Sequence, residues 1–366
     1  MAAEDVTAAE RRAMERALAL AATSGVPTGP NPRVGCVLLD ADGEVVAEGF
    51  HRGAGTPHAE ADALARAGDR ARGATAVVTL EPCDHTGRTG PCSRALLDAG
   101  VRRVVLAQRD PNPVAAGGAA RLRAAGVEVA EGLLVDEARA LNREWTLAVE
   151  RGRPFVTWKY AASLDGRSAA ADGTSRWISS AASRRDVHRL RGRVDAVVVG
   201  TGTALADDPA LTVRDDDGHD LPGPQQPLRV VVGHRDVPPT ARVLADLPGA
   251  RPALHLRTHD PAEVLADLRA RDVQHVLLEG GPTLAAAFWR AGLVDEVVAY
   301  VAPVLLGAGP AAVGDLGTTT LADAARPRVV DATVVDDPVD GPNVRLVLEP
   351  TRPATPDQPA THPRSS

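Results

Sequence analysis

Apolar and polar positions recur along the chain with periods that predict short helices alternating with short strands. Within residues 8–22 the apolar positions follow helical spacing, and they are Met14, Ala17, Leu18 and Ala21. The segment TSG then ends this helix. The runs RVGCVLLD and EVVAEGF follow, joined by the tight turn ADG, and they predict a β-hairpin.

The same alternation continues to about residue 150. HAEADALARAG, CSRALLDAG and GAARLRAAG predict helices, whereas ATAVVTL, RRVVLAQ and VEVAEG predict buried strands. LVDEARALNREWTLAVE predicts one further helix, and RGRP after it predicts a linker near residues 150–154. This order is typical of a three-layer α/β domain, which we place at residues 1–149.

Strand signals resume after the linker and indicate a second α/β domain over residues 154–350. They are PFVTWKYAAS, VDAVVVGTGT, LRVVVG, QHVLLEGG, VDEVVAYVAP and VRLVLEP, with helical segments between several of them. RDDDGHDLPGPQQP predicts an acidic surface loop. Residues 351–366 lack apolar content and predict a disordered tail.

The charge balance excludes some classes of partner. The chain has 366 residues, and 48 acidic against 41 basic side chains leave 48 − 41 = 7 net negative charges. That balance argues against a nucleic-acid partner but leaves room for a small phosphorylated substrate. No apolar run reaches the length of a membrane helix, and the N-terminus with Glu4, Asp5 and Glu10 does not resemble a signal peptide. We therefore expect no membrane partner and a cytoplasmic location.

Lys159 is the only lysine in the chain. Arginine serves as well as lysine on an ordinary surface, so the one remaining lysine is a candidate for a role that arginine does not fill. Its survival by chance is the alternative that the sequence leaves open.

Two of the three cysteines lie in the segment TLEPCDHTGRTGPC, as Cys83 and Cys92. Two neighbouring cysteines in a reducing compartment are more often metal ligands or free thiols than a disulfide. His58 lies upstream at the start of a predicted helix, and one imidazole with two thiolates makes a three-ligand zinc set. Such a set leaves the fourth position open for water, which is typical of a catalytic zinc.

Glu60 follows His58 by two residues and is the expected proton shuttle. Zinc lowers the pKa of a bound water to about 7, and a neighbouring carboxylate can carry protons from it to a leaving group. Zinc deaminases show H-x-E followed by P-C-x-x-C, but here eight residues separate the two cysteines. A closed structural zinc site or two inert thiols remain alternatives. Cys36 lies inside an apolar strand, and we expect it in the core.

Two sets of motifs resemble one known family, the bifunctional deaminase–reductases of riboflavin biosynthesis. In the first half they are PNPRVGCVLLD, HAEADAL, TLEPCDHTGRTGPC and VVLAQRDPNP. In the second half they are KYAASLDGRSA, GTSRWISS, ALADDPALTVR, LEGGPTLAAAF and LVDEVVAYVAPVLLG. The resemblance covers residues 10–350 in the family's order. It implies a cytidine-deaminase-like three-layer α/β domain followed by a dihydrofolate-reductase-like α/β domain.

The resemblance also implies two reactions and the residues that serve them. The first half would deaminate 2,5-diamino-6-ribosylamino-4(3H)-pyrimidinone 5′-phosphate at one zinc ion, and the second would reduce the ribosyl group with NADPH. In the deaminase half the implied zinc ligands are His58, Cys83 and Cys92, the implied acid is Glu60, and the implied substrate contacts are Asn31, His51, His85 and Arg88. The implied NADPH contacts are Ala161, Trp177, Thr203, Asp207, Gly281, Pro282, Thr283 and Leu284. The implied contacts of the reductase substrate are Lys159, Ser175, Arg191, Leu211, Arg214 and Glu279.

Three positions depart from the family pattern. Gly90 replaces the first of two prolines before the second ligand cysteine, and Asp84 replaces a common serine beside the first. Gly233-His234 replaces a common Asp-Ser pair, so one expected cofactor contact is not carried over.

Other readings of the chain remain at this point. One is a deaminase of another base fused to an unrelated reductase, and another is a non-catalytic zinc module that scaffolds a complex. We expect a homo-oligomer that forms through the reductase domain. The run VDEVVAYVAPVLL would supply an interface strand or, equally, a buried core strand.

Overall fold

The computed structural model describes residues 6–26, 29–86 and 90–351, which form two compact units, each built on one β-sheet. The elements up to residue 151 are α1 (Ala8–Ala21), β1 (Gly35–Leu39), β2 (Val45–Phe50), α2 (Ala59–Ala67), β3 (Thr75–Leu80), α3 (Cys92–Asp98), β4 (Arg103–Gln108), α4 (Gly118–Ala124), β5 (Glu128–Glu131), α5 (Val135–Leu141) and α6 (Arg143–Arg151). The later elements are β6 (Phe155–Ser163), α7 (Ala181–Arg191), β7 (Ala196–Gly200), α8 (Thr201–Asp207), β8 (Leu228–Val232), β9 (Leu254–Leu256), α9 (Pro261–Arg269), β10 (His275–Leu278), α10 (Pro282–Arg290), β11 (Glu296–Ala302), β12 (Arg328–Val335) and β13 (Asn343–Glu349).

The first sheet has the order β2-β1-β3-β4-β5 and is covered on both faces. Strand β1 pairs antiparallel with β2 and β3, which confirms the predicted hairpin, and β3, β4 and β5 run parallel. Cys36 packs with Leu96 on one face, and Met14 packs with Val37 on the other. This arrangement is the predicted three-layer domain, because apolar side chains on both faces of a strand require a layer on each side.

The single helix predicted over residues 134–150 is wrong, since the structure breaks it into α5 and α6 at Asn142. The backbone of Asn142 leaves the helical region, with φ −115° and ψ 29°. Its side chain accepts from the N–H of Arg33 and donates to the carbonyl of Arg33, each at 2.8 Å. The buried side chain of Asn142 thus pairs both backbone groups of Arg33, which lies just before β1, and the chain bends at this residue between α5 and α6.

The second sheet has the order β12-β13-β11-β6-β10-β7-β8-β9. Strands β10, β7, β8 and β9 run parallel to their neighbours, β6 runs parallel to β11, and β13 is antiparallel to both β11 and β12. The predicted strand VDAVVVGTGT stops at Gly200, because its ladder with β8 ends there and Thr201 begins α8. Strands β9 and β12 were not predicted.

Strand β11 decides between the two roles left open for the run VDEVVAYVAPVLL. Val297, Val298 and Tyr300 are buried, and β11 lies between β13 and β6. The run is therefore a core strand. The predicted limits at residues 149, 154 and 350 stay predictions, and residues 352–366 of the expected tail lie outside the described residues. Within the described ranges, each helix is too short or too polar to cross a bilayer.

We expect Asn142→Ala to destabilise the first unit by about 1–3 kcal/mol, because both backbone groups of Arg33 lose their buried partner. Denaturant unfolding followed by circular dichroism measures this change. Glu137→Ala, at an exposed position of α5, is the matched control and should unfold like the parent chain. Equal stability of the Asn142→Ala and Glu137→Ala chains would contradict the role given to Asn142.

Candidate deaminase and reductase sites

His58, Cys83 and Cys92 converge from three elements of the first unit. His58 is the residue before α2, Cys83 follows β3, and Cys92 is the first residue of α3. The Nδ1 atom of His58 lies 3.5 Å from the Cys83 sulfur and 3.4 Å from the Cys92 sulfur. Zinc bonds of about 2.0 Å to nitrogen and 2.3 Å to sulfur at tetrahedral angles require a nitrogen–sulfur separation of about 3.5 Å. The three side chains therefore fit one zinc ion.

The two cysteines differ in acidity, and Cys83 is the more acidic thiol. A hydrogen bond from Cys92 and another from His58 lower the pKa of Cys83 to about 4. The bond to Cys83 and burial raise the pKa of Cys92. The backbone N–H of Cys92 also donates to the Cys83 sulfur, at 3.4 Å. Thiolate is the form that binds a metal, so this electrostatic environment favours metal binding.

Glu60 lies in the first turn of α2 and is only 3% exposed. Burial raises its pKa above the usual range, and the neighbouring Cys83 thiol also acts to raise it. A carboxyl group that keeps its proton more readily than usual, next to the metal-binding cluster, suits proton transfer.

Asn31 and His51 lie beside the cluster. The ring of His51 contacts that of His58 edge to face, with centroids 5.4 Å apart. Burial lowers the pKa of His51, so its ring is neutral. Its Nδ1 atom donates to the carbonyl of Pro57 at 3.0 Å, and its Nε2 atom accepts from the amide of Asn31 at 3.1 Å. The structure thus brings both predicted residues to the metal-binding cluster.

The remaining predicted contacts of this half are only partly described. The Nδ1 atom of His85 is buried and has no hydrogen-bond partner among the described residues, whereas Arg88 lies outside them. Asp110, which follows β4, was missed as a site residue. Burial raises its pKa to about 6, and the charges of Cys83 and His85 act on it. The sequence signal for Asp110 is its position directly after a predicted buried strand, in the segment RDPNP, because ligands often bind at the carboxyl ends of such strands.

Lys159, Arg191 and Glu279 form the charged centre of the second unit. Arg191 donates to both carboxylate oxygens of Glu279, at 2.6 and 3.1 Å, and the Lys159 ammonium lies 3.5 Å away. Burial acts to raise the pKa of Glu279, but the two cations outweigh it and hold the pKa at about 2. Ala161 lies on the same face of β6 as Lys159, two residues further along.

Leu211 and Arg214 adjoin this centre through Thr212. Arg191 donates from Nη1 to the Thr212 carbonyl at 3.0 Å, while the Thr212 hydroxyl donates to Asp220 at 2.6 Å. Arg214 donates to the same Asp220 oxygen at 3.0 Å. Leu211 is buried with a positive φ of 57°. The structure therefore brings five predicted substrate residues together: Lys159, Arg191, Leu211, Arg214 and Glu279.

The turn that contains Gly281 meets the start of α8. The N–H of Gly281 donates to the Thr203 hydroxyl at 3.0 Å, and Pro282 begins α10. A Cβ atom on Gly280 would lie 2.9 Å from the end of the Leu284 side chain, so Leu284 would have to shift to admit a larger residue. Both elements follow the carboxyl ends of the parallel strands β10 and β7, which is where α/β sheets bind ligands.

Ser175 and Trp177 lie in the loop before α7, apart from that turn. Trp177 is 68% exposed, and the Arg184 guanidinium covers its ring at 4.3 Å. Arg176 ties this loop to Asp207 by donating to its carbonyl at 3.0 Å. An exposed aromatic ring beside an arginine is available for a planar ligand.

Comparison with known proteins matches both halves. Residues 7–108 match the family of the cytidine and deoxycytidylate deaminase zinc-binding region, and residues 154–336 match the RibD C-terminal domain. The chain is 55% identical over 300 residues to the riboflavin biosynthesis protein RibD of Mycobacterium tuberculosis, covering 82% of this chain and 86% of that protein. It is similar to the solved structure of Acinetobacter baumannii RibD, form 2, with 39% identity, a TM-score of 0.85, and 94% and 99% of the two chains covered.

A third relative is a solved structure from Thermotoga maritima, described as a diaminohydroxyphosphoribosylaminopyrimidine deaminase/5-amino-6-(5-phosphoribosylamino)uracil reductase. Identity is 33%, the TM-score is 0.79, and the match covers 94% of this chain and 99% of that one.

The fold and the two matched halves define a bifunctional enzyme, with a zinc-binding cytidine-deaminase-like domain followed by a dihydrofolate-reductase-like domain. The chain belongs to the RibD family of riboflavin biosynthesis proteins. It therefore catalyses a deamination and a reduction in riboflavin biosynthesis, with zinc in the deaminase domain and NADPH as the reductant expected of the reductase family. This membership confirms the resemblance. It also rules out the two alternative interpretations, a deaminase of another base fused to an unrelated reductase and a non-catalytic zinc module.

We expect Glu279→Gln to cost on the order of 3 kcal/mol at pH 7, because the folded pKa of about 2 lies below the unfolded value of about 4.3. The stabilisation by this depressed pKa is complete above about pH 4.3 and is lost as the pH falls towards 2. The stability difference between the two chains should therefore shrink between pH 5 and pH 3, as measured by denaturant unfolding. Glu150→Gln, in an exposed ion pair with Arg139, is the control and should differ little at any pH. A difference that does not change with pH would contradict this account.

Proposed function

We propose that the first half deaminates 2,5-diamino-6-ribosylamino-4(3H)-pyrimidinone 5′-phosphate. The second half then reduces the ribosyl group of the product with NADPH, giving 5-amino-6-(ribitylamino)uracil 5′-phosphate. The description of the Thermotoga maritima protein supports this pair of activities. The observation that carries the proposal is the buried Glu60 in the first turn of α2, two residues after His58 of the three-ligand cluster, because a structural zinc has no use for an acid there.

In the deaminase half, His58, Cys83 and Cys92 hold the zinc ion. Zinc bound there supplies a Lewis acid that activates water for attack on the carbon bearing the amino group. Glu60 would take up the proton that the attacking water loses and deliver it to the departing nitrogen, which leaves as ammonia. We place the enzyme in the cytoplasm, where the thiols stay reduced.

The substrate contacts of this half are Asn31, His51, His85 and Arg88. The Asn31 amide, held by neutral His51, presents both a donor and an acceptor group to a pyrimidine edge. Asp110 joins these residues because a carboxyl group with a pKa of about 6 beside His85 can donate or accept a hydrogen bond near neutral pH.

In the reductase half, Glu279 stays anionic and orients the substrate, and Arg191 and Lys159 hold it in place. Lys159 also stabilises the negative charge that develops on the sugar oxygen when hydride adds to the ribosyl carbon. Arg214 contacts the substrate phosphate. Its partly exposed side chain, which pairs with the partly exposed Asp220 in the described part of the chain, supports that role. Ser175 and Leu211 complete the substrate contacts.

NADPH binds along the carboxyl ends of the parallel strands of the second sheet. The tight approach of the Gly281–Leu284 turn to Thr203 supports a backbone contact with the cofactor. The remaining proposed contacts are Ala161, Trp177 and Asp207. We retain residues 1–149 and 154–350 as the limits of the deaminase and reductase domains.

We also propose that two copies of the reductase domain pair through one face of the β12–β13 ribbon, called the valine face. Its six members alternate along the two paired strands, and they are Val329, Ala332, Val334, Val344, Leu346 and Leu348. All are apolar, and Val329 and Val334 are each 58% exposed. Arg326 precedes β12 and Asp336 follows it, so a two-fold axis across the strand brings opposite charges together.

The deaminase proposal predicts that Glu60→Gln abolishes ammonia release from the diamino substrate, with a loss of 10²-fold or more, because the proton carrier is gone. Zinc content should stay at one per chain. The experiment measures ammonia release and NADPH oxidation together, first with the diamino substrate and then with the deaminated intermediate.

Each substrate tests one half of the proposal. The parent chain should release ammonia and oxidise NADPH with the diamino substrate, and Glu60→Gln should oxidise NADPH only when given the intermediate. Ammonia release by Glu60→Gln at the parent rate would end the mechanism. Failure of the parent chain to oxidise NADPH with the intermediate would end the reductase assignment.

The pairing proposal predicts that Val334→Asp weakens self-association at least about tenfold, since an unpaired carboxylate would be buried between copies. Sedimentation velocity over a range of protein concentrations measures this. Val339→Asp is the matched control, because Val339 is 87% exposed in the turn beyond β12 and lies outside the valine face. A parent chain that stays monomeric at micromolar concentration, or a Val334→Asp chain that associates normally, would contradict the proposal.

A further inference from the structure

Asp84 and Ser93 join the two chain segments that carry the metal-binding thiols. Each is the next residue after a cysteine, Asp84 after Cys83 and Ser93 after Cys92. The Ser93 hydroxyl donates to the Asp84 carboxylate at 2.6 Å. The Ser93 N–H donates to the Cys83 carbonyl at 3.1 Å. A side-chain bond and a backbone bond therefore fix the same pair of segments.

A third element fixes Asp84 from the other side. Arg121 of α4 forms an ion pair with the Asp84 carboxylate, and the Asp84 N–H donates to the carbonyl of Ala115 at 2.9 Å. Gly118 packs so closely on the loop that an added Cβ atom would lie 1.8 Å from the Pro82 carbonyl oxygen. The carboxylate of Asp84 is thus held between α3 and α4.

The loop between the two cysteines lacks one restraint that the family pattern would give it. It separates Cys83 from Cys92 by eight residues, and Gly90 stands in place of a proline. A Cβ atom on Gly90 would meet nothing within 4 Å, so no neighbour among the described residues holds this position. Glycine also gives the unligated loop more conformational freedom than proline would. The contacts of Asp84 and Ser93 therefore take a larger share in setting the separation of the two sulfur atoms.

We propose that Asp84 and Ser93 are positioning residues that hold Cys83 and Cys92 at the spacing zinc requires and so slow the loss of the metal. This inference rests on the proposed ligand set. Neither side chain ligates the metal or touches the substrate; the pair acts through the two cysteines. Outer partners of metal ligands commonly contribute about 10- to 100-fold to metal affinity.

The test follows zinc transfer from the purified full-length protein to a colorimetric chelator. Asp84→Ala and Ser93→Ala should each lose zinc about 10- to 100-fold faster than the parent chain. The double variant should lose it no faster than Asp84→Ala alone, because either change removes the same bond. Asp84→Asn keeps an oxygen that accepts the Ser93 hydroxyl, so it should lose zinc more slowly than Asp84→Ala.

Cobalt substitution provides a second readout that does not depend on activity. The visible absorption of the cobalt-loaded Asp84→Ala chain should change, because the thiolates are no longer held in the parent geometry. Asp98→Ala is the matched control, since it removes one carboxylate from an exposed ion pair with Arg94 on the same helix. It should retain zinc and the parent spectrum. Ser93→Ala deletes a single oxygen atom, which keeps the test available if Asp84→Ala does not fold.

The outcomes separate this inference from the proposed ligand set. Zinc loss at the parent rate in both Asp84→Ala and Ser93→Ala would overturn the positioning role, and so would fully additive effects in the double variant. A parent chain that binds no zinc, or a Cys83→Ala chain that keeps it, would instead overturn the ligand set.

Discussion

The deaminase half depends on one geometric constraint: the N-termini of α2 and α3 must lie next to the loop that follows β3. His58 precedes α2, Cys92 opens α3 and Cys83 follows β3, so each element contributes one metal-binding atom. Cys83 is stable as a thiolate because a backbone N–H and a neighbouring thiol both donate to its sulfur. The nitrogen–sulfur distances of 3.4 and 3.5 Å leave little tolerance for movement. A sheet packed on both faces supplies the rigidity that this geometry requires.

A buried carboxylate has the comparable role in the second unit. The Glu279 carboxylate can be buried in its charged form because hydrogen bonds and ion pairs with Arg191 and Lys159 offset the cost of removing it from water. These partners come from α7 and β6, so one ionic contact links a helix, a central strand and the residue after β10. The chemistry of the two units differs accordingly. Burial raises the pKa of the Glu60 carboxyl group, whereas two cations lower the pKa of the Glu279 carboxylate.

The features that local sequence could predict were those with local causes. The hairpin of β1 and β2 followed from a tight turn between two apolar runs, and the burial of Cys36 followed from its place in a continuous apolar strand. The break at Asn142 could not be predicted, because it depends on Arg33, more than a hundred residues away in the chain. Strand β12 was missed because Asp331 and Thr333 interrupt its apolar pattern, and only pairing with β13 makes it a strand.

By itself, the sequence determined the two α/β halves, the set of metal-binding residues and the acid beside them. Each of these features depends on residues that are close together in the chain, such as the apolar run of a strand or the residue types at the start of a helix. Tertiary structure decided which side chains meet and in what charge state. It lowered the pKa of Cys83, surrounded Glu279 with cations and raised the pKa of Asp110 through burial. The physical reason is that a pKa depends on burial and on charges from distant segments, and these exist only once the chain has folded.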